Sequence, residues 1–172
     1  ILSHWTVMVK DTSQVFAAGP SVVERSLGQK LTKEELGGPA VAVDVAGTID
    51  NVAASEQDCF AMIRRFLSYM PQNVWELPPA TVCTDPVDRR DEALATIVPK
   101  DRRKPYNMRK LISMIIDRES GFEIQPTFGK AVITMLARMD GKVVGIVANN
   151  PMFYGGAIDV KGARKQTHFI DR

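Results

Sequence analysis

The chain is poor in the residues that usually advertise chemistry. Its 172 residues include two cysteines, Cys59 and Cys83, and two histidines, His4 and His168. The cysteines form no C-x-x-C pair, so neither a disulfide framework nor a redox motif is encoded. Two isolated thiols fit a reducing compartment, the cytoplasm or, in a eukaryote, the mitochondrial matrix. Cys59 reads as a small core residue rather than a nucleophile. The histidines sit near opposite ends without H-E-x-x-H spacing, and a zinc site would need more soft ligands, so no metal is expected. A Ser-His-Asp triad would have to be built around His4 or His168, and neither lies beside a G-x-S-x-G elbow. Gly19 and Gly28 are not followed by the Gly-Lys-Ser/Thr of a phosphate loop. No stretch approaches the ~18–20 apolar residues of a membrane span. A formal net charge of +2 gives no domain-wide field to hold nucleic acid. The amino terminus, Ile1-Leu2-Ser3-His4-Trp5, has neither an initiator Met nor the order of a signal peptide, and reads as starting mid-protein.

With 45% apolar and 24% charged residues, the chain has the make-up of one ordinary domain, or of two small pieces sharing a core. A chain this long buries roughly 68–70% of the surface it exposes when unfolded, so it needs no disulfide or metal for stability. Trp5 to Val9 is β-rich and short, and Gln14 to Ala18 reads as a second strand ending at Gly19-Pro20. Ser21 to Leu27 reads as a helix closed by Gly28. Thr32 and Glu35 form a capping box for a helix of one or two turns that stops at Gly37-Gly38. Val41, Val43 and Val45 alternate with smaller or polar residues, which is strand spacing. Ser55 opens the clearest helix: Glu56 and Asp58 suit its first turn, and Phe60, Ile63, Leu67 and Met70 follow at helical steps up to Pro71.

Residues 71–106 change character, holding six of the ten prolines (Pro71, Pro78, Pro79, Pro86, Pro99, Pro105). They read as a linker with one helical turn near Asp91 to Leu94. Trp75, Leu77, Val82, Ile97 and Val98 suggest that it packs along a surface. A helix restarts at Asn107, with Met108, Leu111, Ile112, Ile115 and Ile116 as an apolar stripe. Val132 to Leu136, Asp140-Gly141 and Val143 to Val147 form a hairpin, because Asp-Gly supplies the positive-φ residues of a tight turn. Asn149-Asn150-Pro151 breaks the second strand, and Asp159 caps a last helix. Lys100, Arg102, Arg103, Lys104, Arg109 and Lys110 form a basic cluster that reads either as a solvated face or as a phosphate contact. The Gly37-Gly38 and Gly155-Gly156 pairs serve either turn geometry or ligand binding by their amides. These signals alone describe a soluble α/β fragment.

As a string, however, the chain resembles the carboxyltransferase subunit of biotin-dependent acyl-CoA carboxylases of the propionyl-CoA carboxylase beta type. The resemblance rests on Phe16-Ala17-Ala18-Gly19-Pro20, on Gly28 through Gly38, on Leu67-Ser68-Tyr69-Met70-Pro71 and on Ile97-Val98-Pro99. Lys104-Pro105-Tyr106-Asn107-Met108-Arg109, Phe122-Glu123-Ile124 and Ala137 through Pro151 carry it further, and the order is kept from about Trp5 to Ile170.

The resemblance implies an α/β, crotonase-like (ClpP/crotonase) β-β-α spiral, the end of one repeat followed by the start of a second. Residues 1–75 would be the C-terminal part of the first lobe, 76–106 the Pro-rich linker and 107–172 the N-terminal part of the second lobe. It implies transfer of a carboxyl group from carboxybiotin to the α-carbon of a short-chain acyl-CoA. A thioester enolate and a biotin enolate must both be stabilised, and paired main-chain N–H groups do this without a side-chain nucleophile. No catalytic side chain and no directly bound cofactor are implied, biotin arriving on a carrier. Gly19, Pro20, Gly37 and Gly38 become candidates for the acyl-CoA pocket, and Asn149, Asn150 and Pro151 for the biotin side. Implied partners are acyl-CoA, a biotinylated carrier or biotin carboxylase subunit, and further copies of the chain, with no nucleic acid or membrane. The family's Ser-Gly-Gly-Ala-Arg and Asp-x-Pro-Gly-Phe loops do not occur within these residues, so the segment is expected to be inactive alone. Ala42 stands where a histidine is often found, and Ala46 where a serine is usual. Two readings stand beside this one: a non-catalytic packing or oligomerisation module, and a subunit of a biotin-dependent acyl-CoA decarboxylase.

Overall fold

The computed structural model describes residues 3–86, 88–101 and 103–171. It divides into two compact units, residues 1–63 and 64–172.

In the first unit, β1 (Val7–Val9) pairs in parallel with β2 (Asn51–Ala53). Strand β2 went unread in the sequence because it is only three residues long and follows polar Asp50. Parallel neighbours need a crossover between them, and helices α1 (Pro20–Leu27) and α2 (Lys33–Gly37) lie on it. Helix α1 ends at Gly28 with φ 69°, and α2 carries the expected reciprocal cap between Thr32 and Glu35. Buried Asp50 staples the entry to β1, accepting from the Thr6 amide at 2.8 Å and the Thr6 hydroxyl at 3.1 Å. Met8, Ala42, Val43 and Ile49 form the core of this unit.

Two expected strands are absent here. Val41, Val43 and Val45 lie in a wide helical segment, Ala40–Val45, closed by a 2.9 Å bond from the Ala46 amide to the Val41 carbonyl. Pro39 starts it in the helical region at φ −54°, and sequence neighbours Ala42 and Val43 are buried together while Val45 is exposed. That is a helical rather than an alternating pattern. Gln14 to Ala18 is not in a sheet either. Its described link to a neighbour is one 2.9 Å bond from the Val15 amide to the Gly37 carbonyl, and Gly37 is helical and offers no ladder.

Helix α3 (Glu56–Leu67) begins as expected, Ser55 accepting from the Asp58 amide at 3.1 Å. Its apolar stripe is displaced from the expected one. Phe60 and Leu67 are exposed, whereas Phe66 and Tyr69 are buried and approach Phe122 with centroids 6.4 and 6.3 Å away. Arg65 donates to the Glu119 and Gly121 carbonyls at 2.6 and 2.7 Å, and Tyr69 to the Ser120 carbonyl. The last turn of α3 therefore belongs to the second unit.

That unit is built on an antiparallel sheet ordered β3 (Phe122–Ile124), β4 (Val132–Met139), β5 (Lys142–Asn149). The expected hairpin is present in full register, from Val132 opposite Asn149 to Met139 opposite Lys142. Asp140 and Gly141 turn at φ 53° and 72°, and their amides donate to Asp117 at 2.9 and 2.8 Å. Burial opposes ionisation of Asp117, but the bonds from Gly141 and Asp140 outweigh it and hold the carboxyl below its ordinary range. Strand β3 was hidden by its brevity, whereas β4 is the long, buried middle strand. One face of β4 presents Ile133, Met135 and Ala137 to Ile112 and Ile116, at the end of α4 (Met108–Ile115). Of the expected α4 stripe, Ile115 stands outside, about half exposed.

Residues 71–106 hold the one expected helical turn, Glu92–Ala95, capped by Asp91. Of the residues expected to pack along a surface, Trp75, Leu77 and Val82 do not and are 90–92% exposed, whereas Val98 is about half exposed and Ile97 half-buried. The segment is fastened elsewhere: Arg89 donates to the Met114 and Ile116 carbonyls at 3.2 and 2.5 Å and pairs with Asp85 at 3.0 Å. No helix among the described residues is long and apolar enough to cross a membrane.

Candidate functional site

Of the predicted pocket residues of the first unit, Gly19 lies near Phe16 and Gly37 near Val15 and Phe16, whereas Gly38 lies against Glu34. Gly19 precedes α1, its carbonyl accepting from the Val22 and Val23 amides at 3.0 and 3.1 Å, and Pro20 is the first helical residue. Gly37 is buried because the chain at Val15 crosses it: a Cβ there would lie 2.1 Å from the Val15 carbonyl oxygen. The Gly38 amide already donates to the Glu34 carbonyl at 2.8 Å, and its own carbonyl starts the next helical segment. Gly37 is therefore packed tightly under the Val15 backbone, and the Gly38 amide is committed to the backbone. Ala42, at the position where the family often has histidine, is buried in the core.

In the second unit, Asn149 is exposed at the end of β5, whereas Asn150 is buried. The Asn150 amide donates to the Ala131 carbonyl at 2.7 Å and its side-chain nitrogen to the Lys130 carbonyl at 2.8 Å. Its side-chain oxygen accepts from the Met152 amide at 3.3 Å. Asn150 thus folds the turn, while the exposed Asn149 has its side-chain nitrogen beside Gly156, 2.8 Å from where a Cβ there would lie. Pro151 is half-buried between them and Met152.

The basic cluster does not converge. Arg109 turns inward to a bidentate pair with Glu123, both contacts 2.7 Å, and that hydrogen bond strengthens its hold on the proton. Lys100, Arg103, Lys104 and Lys110 are exposed, and Arg102 lies outside the described residues. Cys59 and Cys83 are free and half-buried. No group of three or more metal-ligating side chains gathers among the described residues.

One group escaped the sequence reading. Lys165, on α5 (Val160–Ile170), is 1% exposed and donates to the Val132 carbonyl at 2.7 Å. Burial pushes its ammonium down from 10.5 to about 8, against Glu123, which favours the charge, and together with Arg109, which opposes it. The available signal was position: Gly162, Lys165 and Phe169 follow the three- and four-residue steps of a buried face.

All residues, 1–172, match the carboxyl transferase domain. The chain belongs to that family. It is 37% identical over 169 residues to the methylmalonyl-CoA decarboxylase subunit alpha of Veillonella parvula, covering 98% of this chain and 33% of that subunit. It is equally 37% identical over 169 residues to the human mitochondrial propionyl-CoA carboxylase beta chain, covering 98% and 31%. The crystal structure of transcarboxylase 12S, described as a hexamer with hydrolysed methylmalonyl-CoA bound, superposes with a TM-score of 0.93 at 30% identity, covering 98% of this chain and 33% of that one. The chain therefore spans about a third of the relatives it matches. Its fold is part of the crotonase-like fold of these carboxyltransferases.

Proposed function

We propose that this chain is a segment of an acyl-CoA carboxyltransferase that moves a carboxyl group from carboxybiotin to the α-carbon of a short-chain acyl-CoA. What carries the reading is the match of 98% of the chain to both carboxylase and transcarboxylase subunits, at up to 37% identity and with a TM-score of 0.93. Negative charge must develop on the thioester oxygen and on the ureido carbonyl oxygen of the donor, and main-chain amides stabilise both without a nucleophilic side chain. The 172 residues contain neither of the family's two glycine loops for that purpose, so the segment alone is inactive and supplies walls to the site. Gly19, Pro20, Gly37 and Gly38 form part of the acyl-CoA wall. Asn149, Asn150 and Pro151 form part of the wall on the biotin side, where Asn149 is the exposed polar group. Carboxybiotin, brought by a carrier, supplies the carboxyl. Residues 1–75 and 107–172 are then portions of two successive lobes joined by 76–106. The active form is an oligomer in the cytoplasm or the mitochondrial matrix.

A second reading has its own support: one relative at 37% identity is named a decarboxylase subunit. Both run the same transfer, in opposite directions, through the same walls.

The side assignments are tested in the product of the whole gene. Gly19→Ala is expected to fold, because the nearest atom to an added Cβ is 3.9 Å away. It should raise KM for acyl-CoA alone, and Asn149→Ala should raise KM for the biotin donor alone. Unchanged constants in both variants would refute these assignments.

A further inference from the structure

We propose that Lys165 is a positioning residue for the Asn149–Asn150–Pro151 turn, its buried amine tying α5 to the stretch of chain on which that turn is hung. Three observations meet at this point. Lys165 donates to the Val132 carbonyl at 2.7 Å, and Val132 lies directly opposite Asn149 in the hairpin. The two residues before Val132 receive the turn: Asn150 donates to the Ala131 carbonyl at 2.7 Å and to the Lys130 carbonyl at 2.8 Å. Helix α5 is pressed against the same stretch, a Cβ on Gly129 falling 2.7 Å from the Lys161 carbonyl oxygen and one on Gly162 falling 3.1 Å from the Val132 side chain. Lysine, helix and turn thus share one anchor, residues 129–132.

The choice of lysine is not explained by stability. An ammonium has three donors, and among the described residues Lys165 has one acceptor. An apolar side chain of the same length would fill the space without a buried charge to desolvate. A costly group kept beside a functional loop points to a role in that loop. This role rests on the assignment of the turn to the biotin side.

The test compares wild type, Lys165→Met and Lys165→Arg in the product of the whole gene. Amide exchange at Asn150, Met152 and Phe153 should quicken about 10-fold in Lys165→Met, while Gly141, at the far end of the hairpin, keeps its protection. The kcat/KM for the biotin donor should fall about 10–100-fold with KM for acyl-CoA unchanged, as for a displaced binding loop. Lys165→Arg, which keeps a donor and a charge, should recover part of that loss. Unchanged exchange at Asn150, or equal acceleration at Gly141, would overturn the assignment. If the wild type transfers no carboxyl group, the functional reading of the turn fails, and the exchange comparison still decides whether Lys165 holds it.

Discussion

The first unit hangs on a parallel ladder of three residues per strand and a core of four buried side chains. The second is built round an eight-residue strand, β4, buried on both faces and paired on both edges. The contrast teaches where autonomy lies. A two-stranded parallel ladder with three residues a side cannot exclude water from its own hydrogen bonds, so it draws its order from the Ala40–Val45 segment and Ile49, which pack on Met8 and Val52. The second unit has a middle strand, a packed helix and charged side chains that hold loop carbonyls, as Arg65 and Arg89 do.

The comparison breaks most readily at the middle of β4. Ile133→Ala, at a site with 0% exposure, should cost about 2–5 kcal/mol and remove exchange protection from the whole sheet. Val43→Ala in the smaller core should cost about 1.5–2 kcal/mol, felt only in residues 1–63. Equal and global effects would show that the two units do not differ in this way.

Lys165 gives the next effect. Its folded value of about 8 lies below the ordinary 10.5, so between these pH values the unfolded chain holds a proton that the folded chain has released. Stability should therefore rise with pH across that window, by about 3 kcal/mol in total. Glu123 and Arg109, which face Lys165 with opposite charges, set the size of the rise. In urea titrations at pH 7 and pH 10, Lys165→Met should lose this rise and be no less stable than wild type at pH 7. A variant that keeps the rise would place its source elsewhere.

Gly37→Ala comes third. The added Cβ would meet backbone atoms of Val15 at 2.1 and 2.8 Å, which cannot swing aside as a side chain can. A cost of about 1–3 kcal/mol is expected, with Gly19→Ala near neutral as the control. Last is Asp117→Asn. Asp117 receives the two hairpin-turn amides, and its carboxyl titrates below the ordinary range, so its contribution is present at neutral pH and lost as the solution becomes acid. The substitution should cost about 1–2 kcal/mol, less where solvent screens the site, and should flatten the acid limb of the stability curve.

Where local chemistry decides, the sequence was a good guide. Thr32 with Glu35, Asn107, Asp159 and Asp140-Gly141 each act through neighbours a few residues away, and each cap or turn is where the residues put it. Where distant contacts decide, it was a poor one. The alternation of Val41, Val43 and Val45 means a strand only if another strand lies alongside; Pro39 and the packing of Ala42 with Val43 made it helical. Gln14 to Ala18 failed for want of a ladder. The candidate site was legible only as a resemblance, because its candidate residues are glycines, two prolines and two asparagines whose types suit any turn. Lys165 was missed because a lysine on a helix is ordinarily solvated, and only the packing of α5 on β4 removes it from water.

The central claim is that these residues supply walls to a carboxyltransferase site whose oxyanion cradles are made elsewhere. Transfer of labelled carboxyl from carboxybiotin to propionyl-CoA, measured for the 172-residue chain and for the product of the whole gene, tests it most directly. The account predicts transfer by the whole product and none above background by the chain alone. Turnover by the isolated chain would contradict it.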